Sequence, residues 1–267
     1  MMETVLGVSY LVCRPIRRDF QVIHAFSSRL GGVSQEPYAS LNLGFGSGDD
    51  RACVRDNRCR FSRAVGFAPD VLVTLQQVHS DRVLLVTAED DVEAVRGAPA
   101  DALISDRPRL PLGIITADCF PVILVAPQRP ALGIVHSGRH GTAHGVVLAA
   151  IQLLYKRFGA NPTDVFAAIG PGIGGCCYEI DEANAVPFRM QYTTTDGVYR
   201  PSRQHHWYVN LQRAIAIQLQ VSGVPSSHVW SADLCTACHP RWFYSYRRDG
   251  VHSGRMLTVA MLHGERP

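Results

Sequence analysis

Several large protein classes are set aside by what the sequence has little of. No apolar run approaches the roughly 18 residues a membrane span needs, so no transmembrane segment is expected. The first residues, MMETVLGVSYLVCRPIRRDF, carry their basic residues after a short apolar run and have no small-residue cleavage site, so they do not read as a signal peptide. Charged residues make up only 18%, the formal net charge is +3, and no long basic run is present, which argues against nucleic acid as a partner. There is no internal repeat, low-complexity tract or linker, and no G-x-x-x-x-G-K-[ST] phosphate loop. The expectation is one cytoplasmic domain over residues 1–267, with no membrane and no evident protein partner.

What is present supports a substantial core, since 46% of residues are hydrophobic. Strands are expected over residues 5–13, 22–27, 83–88, 101–104, 112–116, 122–126, 132–136, 165–169, 228–231 and 255–262. Helices are expected over 50–65, 142–158 and 208–221, with Val147, Ile151, Leu154 and Phe158 sharing one face of the second. Strands cluster as hairpins and helices are few, so the fold class reads as α+β, without the regular alternation of a doubly wound sheet.

The stretch IITADCFPVILV, residues 114–125, holds two runs that look like strands buried on both faces, with Asp118 and Cys119 at the break. A buried carboxylate is costly without partners. Two further segments place an imidazole beside apolar sequence, LQQVH ending at His79 and GIVH ending at His136. The gaps match no local zinc-finger pattern. Cys119 and His136 nevertheless fall at the ends of neighbouring expected strands, where sites gather. Two histidines and a cysteine make three protein ligands with a fourth position for water, the ligand count of a catalytic zinc. Zinc would hold Cys119 as thiolate, and Asp118 could orient a ligand or take a proton. A buried structural cysteine with two satisfied histidines is the alternative.

Other stretches suggest binding. HSGRHGT, residues 136–142, leads into a helix, where free N–H groups, Arg139 and His140 can hold an anion. The long loop over residues 27–44 offers Arg29 and Asn42 for an anion or a sugar hydroxyl. WFYSYRRDG, residues 242–250, offers rings for stacking and Arg247 and Arg248 for an anion. An ordinary turn, a solvated loop and an edge strand are the respective alternatives. The eight cysteines, in a chain of this length with no export signal, point to free thiols. CTACH, residues 235–239, spells the c-type haem pattern, but haem attachment accompanies export. Its C-x-x-C is otherwise a redox pair or half a zinc site that lacks a second C-x-x-C. It also fails the zinc deaminase signature: no H-x-E precedes it, Leu234 replaces proline, and His263-Gly-Glu265 comes after the cysteines.

Taken in order, QQVHSDRV, ADALIS, TADCFPVIL, GIVHSGRHGT, IGPGIGGCCYEI, DLCT and FYSYRRDG resemble one family across residues 27–261. It is the family long labelled multicopper polyphenol oxidoreductase or laccase, and better described as zinc-dependent purine nucleoside phosphorylases that also deaminate adenosine. The resemblance implies a single-domain layered α/β sandwich of the α/β/α type with mixed sheets, related to cysteine-hydrolase folds. It implies zinc, rather than copper, on His79, Cys119 and His136. It implies purine nucleoside and phosphate as partners, with adenosine, inosine and methylthioadenosine as candidate substrates, and Arg29, Arg247 and Arg248 as contacts. The usual HAGWRG is here HSGRHG, so Arg139 stands for the tryptophan and His140 for the basic residue. His140 titrates near neutral pH, which bears on phosphate affinity and not on the metal. DLCT keeps the family's Cys-Thr, which leaves Cys238 and His239 as incidental. Copper-dependent phenol oxidation, a metal-free hydrolase with Cys119 as nucleophile and His136 as base, and a binding protein that merely retains the site are the other readings.

Overall fold

Short β-branched and aromatic runs build two six-stranded sheets and a three-stranded one in the computed structural model, which describes residues 1–264. Residues 265–267 of the expected domain, including Glu265 of the late H-x-E, lie outside the described residues. The first sheet runs β1 (Met2–Val5), β2 (Val8–Leu11), β3 (Val22–Ser27), β15 (Met256–Leu262), β7 (Leu112–Thr116) and β4 (Val73–Thr74). The second runs β14 (Val229–Ser231), β10 (Phe166–Ile169), β8 (Phe120–Ala126), β9 (Ala131–Ser137), β6 (Ala102–Ser105) and β5 (Val83–Val86). The small sheet runs β11 (Glu179–Asp181), β13 (His206–Val209) and β12 (Tyr199–Pro201). Both large sheets are mixed: β4 and β7, β5 and β6, and β10 and β14 pair parallel, while β8 and β9 pair antiparallel.

The eight helices among the described residues are α1 (Arg14–Asp19), α2 (Arg51–Val65), α3 (Val92–Val95), α4 (Arg139–His144), α5 (Val146–Phe158), α6 (Glu182–Gln191), α7 (Leu211–Val221) and α8 (Tyr246–Asp249). The strands decide where they pack. In β8, Ile123 and Val125 meet Phe26, Ile114 and Met256 of the first sheet. Val122 and Leu124 point the other way, into a core shared with Val147 and Leu154 of α5 and Ile215 and Leu219 of α7. On the far side of the first sheet, Ala25, Leu257 and Val259 are covered by Phe61 and Ala64 of α2. Both faces of β8 are therefore buried, as the uninterrupted apolar run requires, and each fully buried Val, Leu or Ile contributes about 1.5–3 kcal/mol. The fold is mixed α+β with four layers, helix–sheet–sheet–helix. A layered α+β fold with mixed sheets was the expectation, and the structure has several sheets, two of them large and mixed.

Three local expectations are corrected. Residues 5–13 form a hairpin, because Leu6 and Gly7 both take positive φ (49° and 80°), as a two-residue turn between twisted strands demands. The expected helix over 142–158 is two helices, broken where Gly145 adopts φ 80°. The expected helix over 208–221 begins at Leu211, after Asn210 caps it by accepting from the Arg213 N–H. Among the helices absent from the expectations is α6, where Pro187 sits inside, a residue type that argues against a helix interior.

Candidate metal centre

The break in IITADCFPVILV is the point where the chain leaves the first sheet and enters the second. β7 ends at Thr116, and β8 begins at Phe120. Phe120 pairs with Ser137 and Pro121 with His136, so Cys119 lies beside the end of β9 that carries His136. His79 arrives from the segment between β4 and β5 and takes φ 60°. Ligand atoms of His79, Cys119 and His136 all lie within 4.8 Å of one another. Cys119 Sγ is 4.0 Å from His79 Nε2, and the two imidazole rings meet edge to face with centroids 4.9 Å apart. A Cβ on Gly138 would stand 2.7 Å from Cys119 Sγ and 3.2 Å from His79 Cδ2, so only glycine lets α4 start this close.

Asp101 organises the cluster and was not among the expected site residues. Its carboxylate is fully buried at the start of β6. It accepts from His136 Nδ1–H at 2.8 Å, from the N–H groups of His79 at 2.9 Å and Ser80 at 2.6 Å, and from Ser80 Oγ–H at 2.8 Å. One carboxylate thus fixes the tautomer of His136, leaves its Nε2 as the available ligand atom, and holds the His79 loop. The signal was present in ADALIS, where a carboxylate opens an apolar run just as Asp118 does. Burial opposes the charge on Asp101, but the bonds from His136 and Ser80 bring its pKa down to about 2. Burial likewise opposes the Cys119 thiolate, and the charges and hydrogen bonds of His136 and His79 outweigh it, lowering the pKa to about 6. His136 rises to about 9, against its own burial, through Cys119 and Asp101. A thiolate and two oriented imidazoles at these separations form a donor set that fits a divalent ion of zinc's preference.

Beside the cluster lies a cavity of about 520 Å³. Cys119, His79, His136 and Asp118 reach it, together with Tyr178, Tyr246, Arg247 and Arg255. Asp118, at φ 88°, accepts from Thr236 Oγ–H and from the Arg247 N–H, both at 2.6 Å, and so ties β7's exit to the start of α8. Arg247 donates to Glu179 O and lies 5.0 Å from the Tyr178 ring centroid. The other expected binding residues stand elsewhere. Arg29 donates to Ala39 O and Pro240 O and lies over Tyr244. Asn42 is buried, with its amide shared among Ser47, Asp49, Gly44 and Arg255. Arg248 turns to Asp249 and to the carbonyls of Thr236 and Phe243. Arg139 donates to Asn184 and reaches His140, which is exposed and stacks near His144. None of these five belongs to the cavity wall. Arg29 and Asn42 of the long loop are held by partners both within that region (Ala39, Ser47, Asp49) and beyond it (Pro240, Arg255). Tyr178 and Arg255 were not among the expected site residues, although Tyr178 stands within IGPGIGGCCYEI.

Cys238, read from the sequence as incidental, lies with Cys235 beside Cys176 and Cys177, all four sulfurs within 4.8 Å of one another. Cys176 and Cys177 arrive from a distant segment as adjacent cysteines, a pattern that differs from a second C-x-x-C.

Comparison with known proteins shows what this chain is similar to. The sequence profile of the multi-copper polyphenol oxidoreductase laccase family matches residues 23–263. The purine nucleoside phosphorylase YlmD of Geobacillus stearothermophilus is 35% identical over 244 residues, covering 88% of each chain. A purine nucleoside phosphorylase of Deinococcus radiodurans is 37% identical over 241 residues, covering 90% of this chain and 89% of that one. Among solved structures, the hypothetical protein YfiH of Bacillus licheniformis superposes with a TM-score of 0.90 at 30% identity, covering 98% of both chains.

Proposed function

We propose, for a chain that belongs to the multi-copper polyphenol oxidoreductase laccase family, zinc-dependent phosphorolysis of purine nucleosides to free base and ribose 1-phosphate. The observation that carries this reading is the placement of the His79–Cys119–His136 cluster in the wall of a cavity that also presents two tyrosines and two arginines. A nucleoside site needs ring-sized apolar faces with a few placed polar groups, and relatives of this chain are named purine nucleoside phosphorylases. The activity is assigned to one domain, because the C-terminal β15 lies between β3 and β7 and joins both ends of the chain in one sheet.

Tyr178 and Tyr246 offer faces for the base and ribose. Arg247 and Arg255 offer charged donors for phosphate, whose oxygen bonds to C1′ as the bond to the purine nitrogen breaks. Holding the phosphate in line and balancing charge as the ribose becomes oxocarbenium-like is the larger share of the work. His79, Cys119 and His136 would hold zinc, which when bound supplies a Lewis acid with an open fourth position. Deamination of adenosine is the second reaction assigned to this cavity, with Asp118 as proton carrier. Each of its oxygens accepts one hydrogen bond and keeps a lone pair.

The test is a product assay on adenosine, inosine and methylthioadenosine, each with and without phosphate. Phosphate-dependent release of hypoxanthine from inosine is expected, as is inosine from adenosine without phosphate. Cys119→Ala is expected to bring both to background, and an unchanged rate in that variant overturns the assignment. Activity surviving complete metal removal would instead support Cys119 as nucleophile, and stoichiometric copper with visible bands would support phenol oxidation.

A further inference from the structure

Four thiols outside the cavity make a second constellation. Cys176 and Cys177 come from the glycine-rich segment before β11, and Cys235 and Cys238 from the segment after β14. Cys177 Sγ and Cys176 Sγ lie 3.3 and 3.6 Å from Cys238 Sγ, and all four are free cysteines. Zinc–sulfur bonds of about 2.3 Å in a tetrahedron set the sulfurs roughly 3.8 Å apart. The observed separations fit one ion at their centre.

The surroundings are built for sulfur. The Gly174 N–H donates to Cys235 Sγ at 3.2 Å, an outer-shell bond of the kind that orients a ligand. A Cβ on Gly174 would meet Cys176 Sγ at 3.1 Å and Cys235 Cβ at 3.2 Å. A parallel bridge between Gly172 and Cys235 fixes the two segments against each other. Cys176 and Cys238 are exposed, which gives an ion an entry path.

We propose that Cys176, Cys177, Cys235 and Cys238 bind a structural zinc ion, separate from the His79–Cys119–His136 cluster. Four soft donors close the coordination shell and leave no position for substrate. Each thiol gives up its proton on binding, so the complex is dianionic. The ion joins two walls of the cavity: Tyr178 follows Cys177, and Thr236, which donates to Asp118, follows Cys235. Its consequence is rigidity of those walls rather than chemistry.

The experiment uses the full chain purified anaerobically without added metal, with metal content read by mass spectrometry and the shell by zinc X-ray absorption. Wild type is expected to hold two zinc ions per chain. Cys119→Ala is expected to retain one, in a shell of four sulfurs at about 2.3 Å. Cys176→Ser/Cys238→Ser is expected to lose that ion. Cys238→His, which keeps a competent ligand, is expected to retain it in a shell of three sulfurs and one nitrogen, which separates ligand loss from misfolding. If the cavity reading fails and this one holds, wild type carries one zinc in an all-sulfur shell. Iron in the site, a disulfide between these cysteines, four titratable thiols in fresh protein, or zinc content unchanged by Cys176→Ser/Cys238→Ser each overturns the proposal.

Discussion

Gly138 and Asp101 shape the candidate metal centre. A methyl group at Gly138 would press on Cys119 Sγ at 2.7 Å. Gly138→Ala is therefore expected to weaken zinc binding about 10-fold or more, about 1.4 kcal/mol, in competition with a chelating dye, while far-ultraviolet circular dichroism stays unchanged. Asp101→Asn removes the charge that orients His136 and the His79 loop, and losses of such partners cost roughly 10–100-fold in metal affinity. Asp101 also leaves a mark on acid stability. Its pKa is lowered from 3.8 to about 2, so its contribution is full above 3.8 and lost as pH falls through about 2. Acid unfolding of Asp101→Asn is expected to be flatter in that window, and a curve parallel to wild type would contradict the role given to the carboxylate.

At the scale of elements, the passage from β7 to β8 builds the site. Three residues carry the chain from one sheet to the other, and the turn leaves Cys119 facing the end of β9. α4 and α5 show the same economy: one left-handed glycine divides a continuous helical pattern so that α4 can meet the metal centre while α5 covers the second sheet. Alanine at Gly145 would adopt φ 80° with its Cβ 3.1 Å from Leu148 Cδ1. Gly145→Ala is expected to lower stability by about 1–2 kcal/mol, measured by urea unfolding, with zinc content unchanged. The sequence showed the apolar period of this region but not its break, because one glycine within a helical pattern is tolerated often enough to carry little signal.

For the whole molecule, the metal-free chain holds a thiolate beside an imidazolium. Cys119's contribution to stability is full above its ordinary value of 9.0 and lost as pH falls through about 6. That of His136 is full below 6.5 and lost as pH rises through about 9. Thermal unfolding after chelation is therefore expected to peak between pH about 6 and about 9, and Cys119→Ala is expected to lose that peak. No helix among the described residues is long and apolar enough to cross a membrane, in line with the sequence. By itself the sequence determined most strands, three of the helices and His79, Cys119 and His136 as candidate ligands, because apolar periodicity and ligand chemistry are local properties that a single chain displays. Only the tertiary structure decided that Asp101 serves both His79 and His136, that Arg29 reaches Pro240 O and Asn42 accepts from the Arg255 N–H, and that Cys176 and Cys177 meet Cys235 and Cys238. Each of those facts is a contact between segments distant along the chain, and it exists only once two sheets have packed face to face.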